Sequence, residues 1–588
     1  MAGRRLSKKD LFLLVLTLCV VVGGVYMAWS VNVDQRVFLV NALDVPTQIA
    51  VDGQTRTVGP GHVEISLHRG VHHVRVTGAG GELLEEGPID VPSVAGAVAY
   101  NVLGAAPLYT ETIIYGTGSG RNAPPTVVLH AGQRLVVSPH ADFVFRAAPR
   151  SISVDKSSSS SHARLHFDMA AGGWATTTSW LHERGDSASA LRICLDVARA
   201  EPSMTRATQS AARWLQELRG ERIAVAYLRR ALETHPDDFD LHRLHQHLMR
   251  RAGHLDEARA FYRSYRDERP TSPLAAVLLA RLEGPDPAAD LYHEALALDP
   301  KNLPARRGLA QLLFDRGRFS ESVRLFDEVA HGDPDYKYVV QDHVRALLIQ
   351  GEAAKAVTVA AAAAKKAPKE WSLAVLYAEV ADTEGVVPTV PAQQFVDGLS
   401  QTSRDPEFGM WMRSLAGLPV NLQALKAAQL RGSLVADAAA VQLAAQKDPA
   451  EAWALVARAK PGVVDELAGP VALLLAAEFF RVGDTRTADD LFASRNDMAL
   501  PAEELKAFVA NGTEHPDFWR MPTDVRAVLE FVRARKLQAD GAADPRAYEA
   551  ATRREAYRGL VGRSLRSWPA PERTRPQPSL ALQRRPAL

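Results

Sequence analysis

Two short stretches carry residue types that could do chemistry. His242 and His245 stand at i and i+3, the spacing that places two imidazoles on one helix face for a metal ion, and His247 follows. No cysteine or third ligand stands on that face, so we expect no metal site and assign these histidines to helix surface and packing. Residues 116–120 (Gly-Thr-Gly-Ser-Gly) follow a strand as a phosphate loop does. The prolines in residues 121–125 exclude the helix N-terminus that would hold the phosphate, so we interpret this stretch as a hairpin loop.

Composition and motifs favour binding over catalysis. The sequence has no nucleophile elbow, no H-E-x-x-H and no phosphate loop in a fitting context. Its 69 Lys+Arg against 68 Asp+Glu give no polyelectrolyte character, so nucleic acid is not an expected partner. The two cysteines, Cys19 and Cys194, exclude a disulfide framework and a multi-cysteine zinc site. We therefore expect no enzyme and no cofactor, and the remaining enzymatic alternative is a site hidden in the C-terminal third.

Prolines recur at one phase through the middle of the chain. Four of the five gaps between them are 34 residues, and the third gap is 30 residues: Pro202, Pro236, Pro270, Pro300, Pro334 and Pro368. Each proline closes a run with helical spacing of apolar residues. A proline that recurs in this way predicts a stacked array of helix pairs.

The segments that end near these prolines share a pattern of large and small residues. Segments 205–238, 239–272, 303–336 and 337–370 carry apolar or small residues near positions 4, 7, 8, 11, 20, 24 and 27 and a proline at position 32. Segment 171–204 also fits, segment 273–302 fits with four residues fewer at the inter-helix turn, and a seventh begins at residue 371. The chain therefore resembles the tetratricopeptide-repeat family. Small residues at positions 8 and 20 let the two helices approach, the glycine near position 15 turns the chain, and the proline ends the second helix.

The resemblance implies a concave face that binds extended peptides. In this family the face is lined by first-helix residues near positions 2, 5, 9, 12 and 13. In this sequence the basic residues at those positions are Arg206, Arg213, Arg243, His247, Arg250, Arg281, Arg307 and Arg345. Such a set predicts a peptide partner with acidic or carboxylate groups. The alternative is that these arginines are solvated helix faces in a chain that is rich in arginine throughout.

The N-terminus predicts a membrane anchor. Residues 11–29 contain no charge, and nineteen helical residues rise roughly 28 Å, close to the thickness of the hydrocarbon core. Arg4, Arg5, Lys8 and Lys9 precede this run, and the positive-inside rule then keeps residues 1–10 in the cytoplasm. The alternative is a cleaved signal peptide, with residues 28–30 as the cleavage region. Both interpretations place the bulk of the chain outside the cytoplasm.

Short strand-like runs follow the anchor. They comprise residues 37–41, 48–52, 63–67, 72–76, 110–115, 126–129, 135–137, 143–145, 152–154 and 163–167, with Gly- and Pro-containing turns between the first of them. This spacing predicts an antiparallel sandwich. The residues Val51-Asp-Gly, Gly59-Pro-Gly and Leu67-His-Arg-Gly-Val-His-His-Val make about 45 residues similar to PEGA-type extracytoplasmic β-sandwich modules, although the PEGA tetrapeptide itself is missing.

The predicted architecture is a multi-domain chain of α plus β type. Its predicted parts are a cytoplasmic N-terminus (1–10), a transmembrane helix (11–30), a β-sandwich region (32–170), a tetratricopeptide solenoid (171–386), degenerate helical repeats (387–564) and a disordered tail (565–588). The register breaks at residues 386–391 and returns in part around Gly432 and Gly483.

These features predict a membrane-anchored extracytoplasmic scaffold that binds protein partners through the repeats. We expect a single pass through the inner (cytoplasmic) membrane, with the bulk of the chain in the periplasm. The second hypothesis is a component of cell-envelope assembly or export whose β domain binds glycan.

Overall fold

A computed structural model describes most of the chain between residues 34 and 565. The described residues are 34–92, 96–115, 126–149, 151, 162–381, 392–402, 406–458, 462–464, 466–481, 484, 486–488, 491, 502–512, 521, 523–541, 561–562 and 565. The predicted anchor, the 116–120 loop, the strand at 152–154, the break at 386–391 and the tail beyond residue 565 lie outside them. In the described ranges no helix is long and apolar enough to cross a membrane.

The chain forms two compact units, Met1–Leu248 and Met249–Leu588. The first unit begins with twelve described strands: β1 (Asp34–Asn41), β2 (Thr47–Val51), β3 (Gln54–Val58), β4 (Gly61–His68), β5 (Gly70–Thr77), β6 (Leu83–Val91), β7 (Gly96–Asn101), β8 (Leu108–Tyr115), β9 (Val127–Leu129), β10 (Leu135–Pro139), β11 (Phe143–Val144) and β12 (His162–Met169). Most of the predicted strands are found, and β3, β6 and β7 were not anticipated. Only Val58 is buried in β3, and β6 contains Pro88 and two adjacent glutamates, so neither shows a clean alternation of apolar residues.

The strands form three four-stranded sheets rather than one antiparallel sandwich. The strand orders are β10-β7-β1-β4, β3-β2-β5-β6 and β11-β12-β8-β9. Two neighbouring pairs are parallel, β1 with β7 and β11 with β12. The prediction of a purely antiparallel sandwich is therefore wrong. Strand β7 pairs with β1, but strands β2–β6 lie between them in the sequence. A connection of this length allows two strands to run parallel, whereas a hairpin joins only antiparallel strands.

Four helices complete the first unit before the division, which falls inside a fifth: α1 (Gly173–Glu183), α2 (Ser187–Ala200), α3 (Thr205–Arg219), α4 (Glu221–Thr234) and α5 (Phe239–Arg251). The β region and the first helices share one hydrophobic core, in which Val98, Leu103 and Phe167 join Trp174, Ile193 and other helical residues. Thr177 Oγ1 donates to the Ala105 carbonyl at 2.7 Å, and the Asp44 amide donates to Glu201 Oε1 at 2.8 Å.

The second unit is helical throughout its described residues. Its helices are α6 (Leu255–Asp267), α7 (Pro273–Ala280), α8 (Pro285–Leu298), α9 (Leu303–Asp315), α10 (Phe319–Ala330), α11 (Val340–Ile349), α12 (Ala353–Lys366), α13 (Trp371–Ala381), α14 (Gln393–Thr402), α15 (Pro406–Leu415), α16 (Leu422–Leu430), α17 (Leu434–Ala445), α18 (Pro449–Arg458), α19 (Gly469–Arg481), α20 (Ala502–Asn511) and α21 (Thr523–Ala539). A 3-10 helix, Pro334–Tyr338, precedes α11.

The helix pairs predicted from the proline spacing are confirmed. Each of the six segments from 171 to 370 holds two helices. The glycines predicted to turn the chain adopt left-handed backbone conformations, with φ of 79° at Gly185, 74° at Gly253, 76° at Gly317 and 80° at Gly351. These turns are therefore fixed by residues that accept a positive φ without strain.

The shortened segment 273–302 differs from its prediction in one respect. Its first helix, α7, has 8 residues where α9 of the next segment has 13. The four residues between α7 and α8 exceed the three between α9 and α10. The missing residues are thus lost from the first helix and not from the turn. Residues Ala275–Ala280 are all buried, so α7 resembles an interior helix more than an amphipathic one.

Candidate protein-binding surfaces

The eight predicted groove residues lie on or beside first helices and fall into both units. Arg206 and Arg213 are on α3, Arg243, His247 and Arg250 are on α5, Arg281 follows α7, Arg307 is on α9 and Arg345 is on α11. Residues up to His247 belong to the first unit and those from Arg250 to the second.

Two of the eight are buried and do not lie at a surface. Arg307 is 7% exposed, and its guanidinium contacts both oxygens of Asp333 at 2.7 Å and Asp335 at 3.0 Å. Asp333 is itself 3% exposed, so this is a buried ion pair inside the second unit. Arg345 is fully buried. Neither side chain is placed to meet a ligand from solvent.

The remaining basic residues are at least partly accessible. Arg206 and Arg213 are exposed, and the Arg206 guanidinium stands 5.5 Å from the centre of the Trp174 ring, a cation–π distance. Arg243 is half-buried and pairs with Asp240 at 3.2 Å. In the second unit, Arg250 Nη2 donates to the Arg281 carbonyl at 2.5 Å. Arg206 and Arg213 therefore keep the most solvent-facing charge of the predicted set.

The three histidines of α5 do not share an environment. His242 and His245 are buried, whereas His247 is exposed. Burial, reinforced by the charges of Arg229 and His242, lowers the pKa of His245 to about 3, so its imidazole is neutral near pH 7. His242 Nε2 lies 2.6 Å from the Pro236 carbonyl. Across the residues that the structure describes, no group of three or more His, Cys, Asp or Glu is arranged to hold a metal ion.

A pocket of about 310 Å³ lies in the second unit, and we name it the terminal pocket. Its aromatic and polar lining residues are Lys337, Tyr338, Gln341, Trp371, Ser372 and Glu379. Its apolar lining residues are Leu373, Val375, Leu376, Leu415, Ala468, Pro470 and Val561. The lining thus combines residues of the 3-10 helix, α11 and α13 with residues of the region predicted to hold degenerate repeats.

Repeat numbering places the terminal pocket at inward positions. Tyr338 and Gln341 are at positions 2 and 5 of segment 337–370, and Ser372, Val375 and Glu379 are at positions 2, 5 and 9 of the segment that begins at residue 371. None of these five residues is basic, so the set of basic residues at the inward positions does not include them. The repeat positions alone, without regard to charge, indicate that these residues face inward.

The charges and rings at the terminal pocket are fixed by their neighbours. Lys337 Nζ contacts Glu370 Oε1 at 2.7 Å, and this hydrogen bond raises the pKa of the lysine. The same Nζ lies 5.0 Å from the centre of the Tyr338 ring. Trp371 packs edge-on against Trp411 with ring centres 5.1 Å apart, and Trp411 Nε1 donates to the Glu466 carbonyl at 2.9 Å.

A second cavity, of about 280 Å³, lies among the strands of the first unit, and we name it the polar cleft. Its polar lining residues are Asp34, Asp52, Gln54, Arg56, Ser66, His68 and His72. His72 contacts Asp52 Oδ2 through Nδ1 and the His68 carbonyl through Nε2, each at 2.6 Å. Burial opposes the charged imidazole, but these two contacts outweigh it and raise the pKa of His72. The His73 amide and then His72 hold the pKa of Asp52 below its usual value.

A family model described as tetratricopeptide repeat matches residues 285–342. That range contains α8, α9 and α10 and the beginning of α11. Together with the helix pairs and their glycine turns, it shows that the chain contains tetratricopeptide repeats, and the prediction of such repeats is confirmed. No curated protein sequence matches the chain.

Solved structures that resemble the chain do so at low identity. A tetratricopeptide repeat protein from Parabacteroides merdae is 18% identical with a TM-score of 0.25, and the match covers 41% of this chain and 96% of that one. Pseudomonas aeruginosa PilF is 17% identical with a TM-score of 0.23, over 40% and 96%. A human IFIT1 dimer with m7Gppp-AAAA is 14% identical with a TM-score of 0.29, over 64% and 88%. At such scores the similarity says nothing about function.

Proposed function

We propose that this protein is a scaffold that binds protein partners through its tetratricopeptide repeats. The observation that carries the proposal is the succession of helix pairs along residues 171–370, with a glycine turn at the same position in four of the six segments. An array of this kind presents an extended row of side chains from its first helices. Such a row can bind an extended segment of a partner protein, whereas an active site needs a few reactive groups brought together at one point.

The proposal places this scaffold outside the cytoplasm on a membrane anchor. Its support is the uncharged run of residues 11–29 after four basic residues, which the positive-inside rule orients with the N-terminus in the cytoplasm. In a bacterial cell this is a single pass through the inner membrane with the repeats in the periplasm. The PEGA-like β region then stands next to the membrane.

The partner segment is proposed to be acidic. Arg206 and Arg213 are exposed on α3, and Arg243 is partly exposed on α5, all at inward repeat positions of the first unit. Guanidinium groups bind carboxylates with paired hydrogen bonds, and exposed positive charge speeds the approach of a negative segment. Arg307 and Arg345 are left out of this surface because they are buried.

Charge reversal tests this surface in the full-length protein. Arg213→Glu combined with Arg243→Glu is expected to reduce partner capture from detergent-solubilised membranes by about tenfold or more, since two attractive contacts become repulsive. The matched control is Arg222→Glu combined with Arg230→Glu, which makes the same charge change at exposed positions of α4, a second helix. Proteins are cross-linked in cells, the membranes are solubilised, and the partners captured with each variant are quantified by mass spectrometry. Equal loss in both double variants would mean that net charge acts and the inward surface does not.

The polar cleft supports a second candidate function, the binding of a neutral, hydroxyl-rich ligand such as a glycan. Its imidazole and carboxylate side chains face one another, as in the pairs His72–Asp52 and His68–Asp34 at 2.6 and 2.8 Å. An anionic ligand would meet the carboxylates of Asp34 and Asp52, whereas sugar hydroxyls donate to carboxylates and accept from imidazole N–H groups. The buried apolar residues Leu39 and Ile49 also line the cleft and suit the C–H face of a sugar.

Strand alternation supplies the control for this candidate. On β3, Gln54 and Arg56 line the cleft, while Thr55 and Thr57 do not. Gln54→Ala combined with Arg56→Ala is expected to abolish retention on an array of neutral oligosaccharides, and Thr55→Ala combined with Thr57→Ala is expected to leave it intact. Absence of any retention by the unaltered protein would remove this candidate.

A further inference from the structure

We infer that the terminal pocket holds one aliphatic or aromatic side chain of an extended peptide segment from a protein partner. This inference rests on the proposed function, because it states which part of a partner protein binds to the repeats in the second unit. It concerns residues that the basic positions of the repeats do not include.

The walls of the terminal pocket are apolar and ordered. Leu373, Val375 and Leu376 on α13 are each at most 7% exposed, so they form part of a packed core and not a loose surface. Leu415, Pro470 and Val561 come from the region predicted to hold degenerate helical repeats, after the segment that begins at residue 371. A repeat array alone has an open end, and here later parts of the chain close that end around a cavity.

Exposed rings stand where a ligand would cover them. Tyr338 is 63% exposed and Trp371 is 38% exposed, although both are large and both line the pocket. Aromatic rings that remain in contact with water lose that contact when an apolar group docks, which favours association. The rings therefore provide a driving force that does not depend on charge.

The charge at the pocket argues against an ionic anchor. Lys337 is already neutralised by Glu370 at 2.7 Å and lies over the Tyr338 ring. An acidic side chain of a ligand would have to compete with Glu370 for the same ammonium group. An uncharged apolar side chain meets no such competition, so the anchor differs from the acidic groups proposed for the first unit.

Size and hydrogen-bonding groups favour a peptide. A volume of about 310 Å³ is near the lower end of the range for ligand pockets, so it holds a side chain and not a folded element. Ser372 adds an exposed hydroxyl to the lining, and the backbone N–H and C=O groups of an extended segment need hydrogen-bonding partners. A free apolar molecule would contact the apolar walls and would not use this hydroxyl.

The experiment uses the purified full-length protein and defined probes. The probes are the N-acetyl amides of leucine, phenylalanine, tryptophan and alanine, and the peptide N-acetyl-Gly-Phe-Gly-amide, with dissociation constants from ligand-observed NMR. We expect the three large amides to bind about tenfold or more tightly than the alanine amide, since a large apolar side chain is buried. We expect the Gly-Phe-Gly peptide to bind more tightly than the phenylalanine amide, since its backbone reaches the polar lining.

Ser372→Trp blocks the pocket without emptying the core, because Ser372 is exposed and the new indole occupies pocket volume. This variant should weaken binding of the phenylalanine amide about tenfold or more, as should Tyr338→Ala. Leu430→Trp is the matched control, because Leu430 is 89% exposed on α16 and does not line the pocket. Circular dichroism checks that all three variants fold.

The inference would be overturned by equal binding of the alanine and phenylalanine amides, by no loss in Ser372→Trp, or by an equal loss in Leu430→Trp. Tighter binding of the amide than of the peptide would assign the pocket to a free small molecule and overturn it as well. Partner capture in the cross-linking experiment is measured separately. Its persistence in Ser372→Trp, together with any of these outcomes, would leave the scaffold proposal standing and remove the pocket from it.

Discussion

Arg307 illustrates how a charged side chain becomes part of a repeat core. It projects from α9 and meets Asp333 and Asp335, which stand at the start of the 3-10 helix that precedes α11. Asp333 also accepts a hydrogen bond from the Asp335 amide at 2.9 Å, so one carboxylate caps a turn and neutralises the guanidinium. This arrangement joins the first helix of segment 303–336 to the turn at the end of the same segment, inside the second unit.

We predict that Arg307→Ala lowers the free energy of unfolding of the second unit by about 3–5 kcal/mol. Removal of the guanidinium leaves Asp333, which is 3% exposed, as an uncompensated buried charge. The measurement is urea denaturation followed by circular dichroism. Arg213→Ala is the comparison, since an exposed arginine should change stability by no more than about 0.5 kcal/mol. A neutral result for Arg307→Ala would show that the ion pair is not desolvated.

The eight basic positions show what repeat numbering can and cannot predict. The number of a residue within its segment predicts which way its side chain points in a helix pair, and it places Arg206, Arg213 and Arg243 at accessible sites. It does not predict burial, which depends on residues that lie far from the position along the chain. Arg307 and Arg345 are covered by neighbours whose contribution is not encoded at their own positions.

Among the elements, α8 and α9 pack at unusually close range beside Gly308. A Cβ added at this glycine would lie 2.3 Å from Tyr292 Cζ and 2.6 Å from its hydroxyl oxygen. Tyr292 is 3% exposed and has little room to move. A helical glycine normally costs stability, so its presence here is explained by the aromatic ring that occupies the space.

Gly308→Ala is therefore expected to destabilise the second unit by about 1–3 kcal/mol through overpacking. Gly398→Ala in α14 makes the same change where no atom lies within 4 Å, so it should stabilise by up to about 1 kcal/mol. Opposite signs in thermal unfolding would support the contact with Tyr292. Stabilisation by both substitutions would contradict it.

The elements also divide by how much of each could be predicted. Recurrent glycines and prolines predict the helix pairs, because each acts through its own backbone geometry. The short length of α7 could not be predicted in this way, because a proline gap of 30 residues instead of 34 does not show whether a helix or a turn is shorter. Strand β7 escapes it too, because its parallel pairing with β1 depends on a partner more than fifty residues away.

At the scale of the whole chain, the two units are stabilised in different ways. The first unit mixes three sheets with helices in one core, whereas the second stacks helices in chain order. Composition and period predict both classes of structure. They do not predict that the core of the first unit crosses residue 171, the predicted domain boundary, because apolar residues on a repeat helix look alike whether they meet another repeat or a strand.

The shared core of the first unit has a consequence for how the repeats lose structure. A helical-repeat array unfolds most readily from its ends, where the terminal repeat lacks a neighbour, and many arrays carry a dedicated polar cap there. In this chain the strands take that place: Trp174 and Ile193 are buried in the same core as Leu103 and Phe167. Unfolding of the first repeat helices must therefore also expose the core of the β-sheets. The free energy of local unfolding at the N-terminal end of the array is raised accordingly.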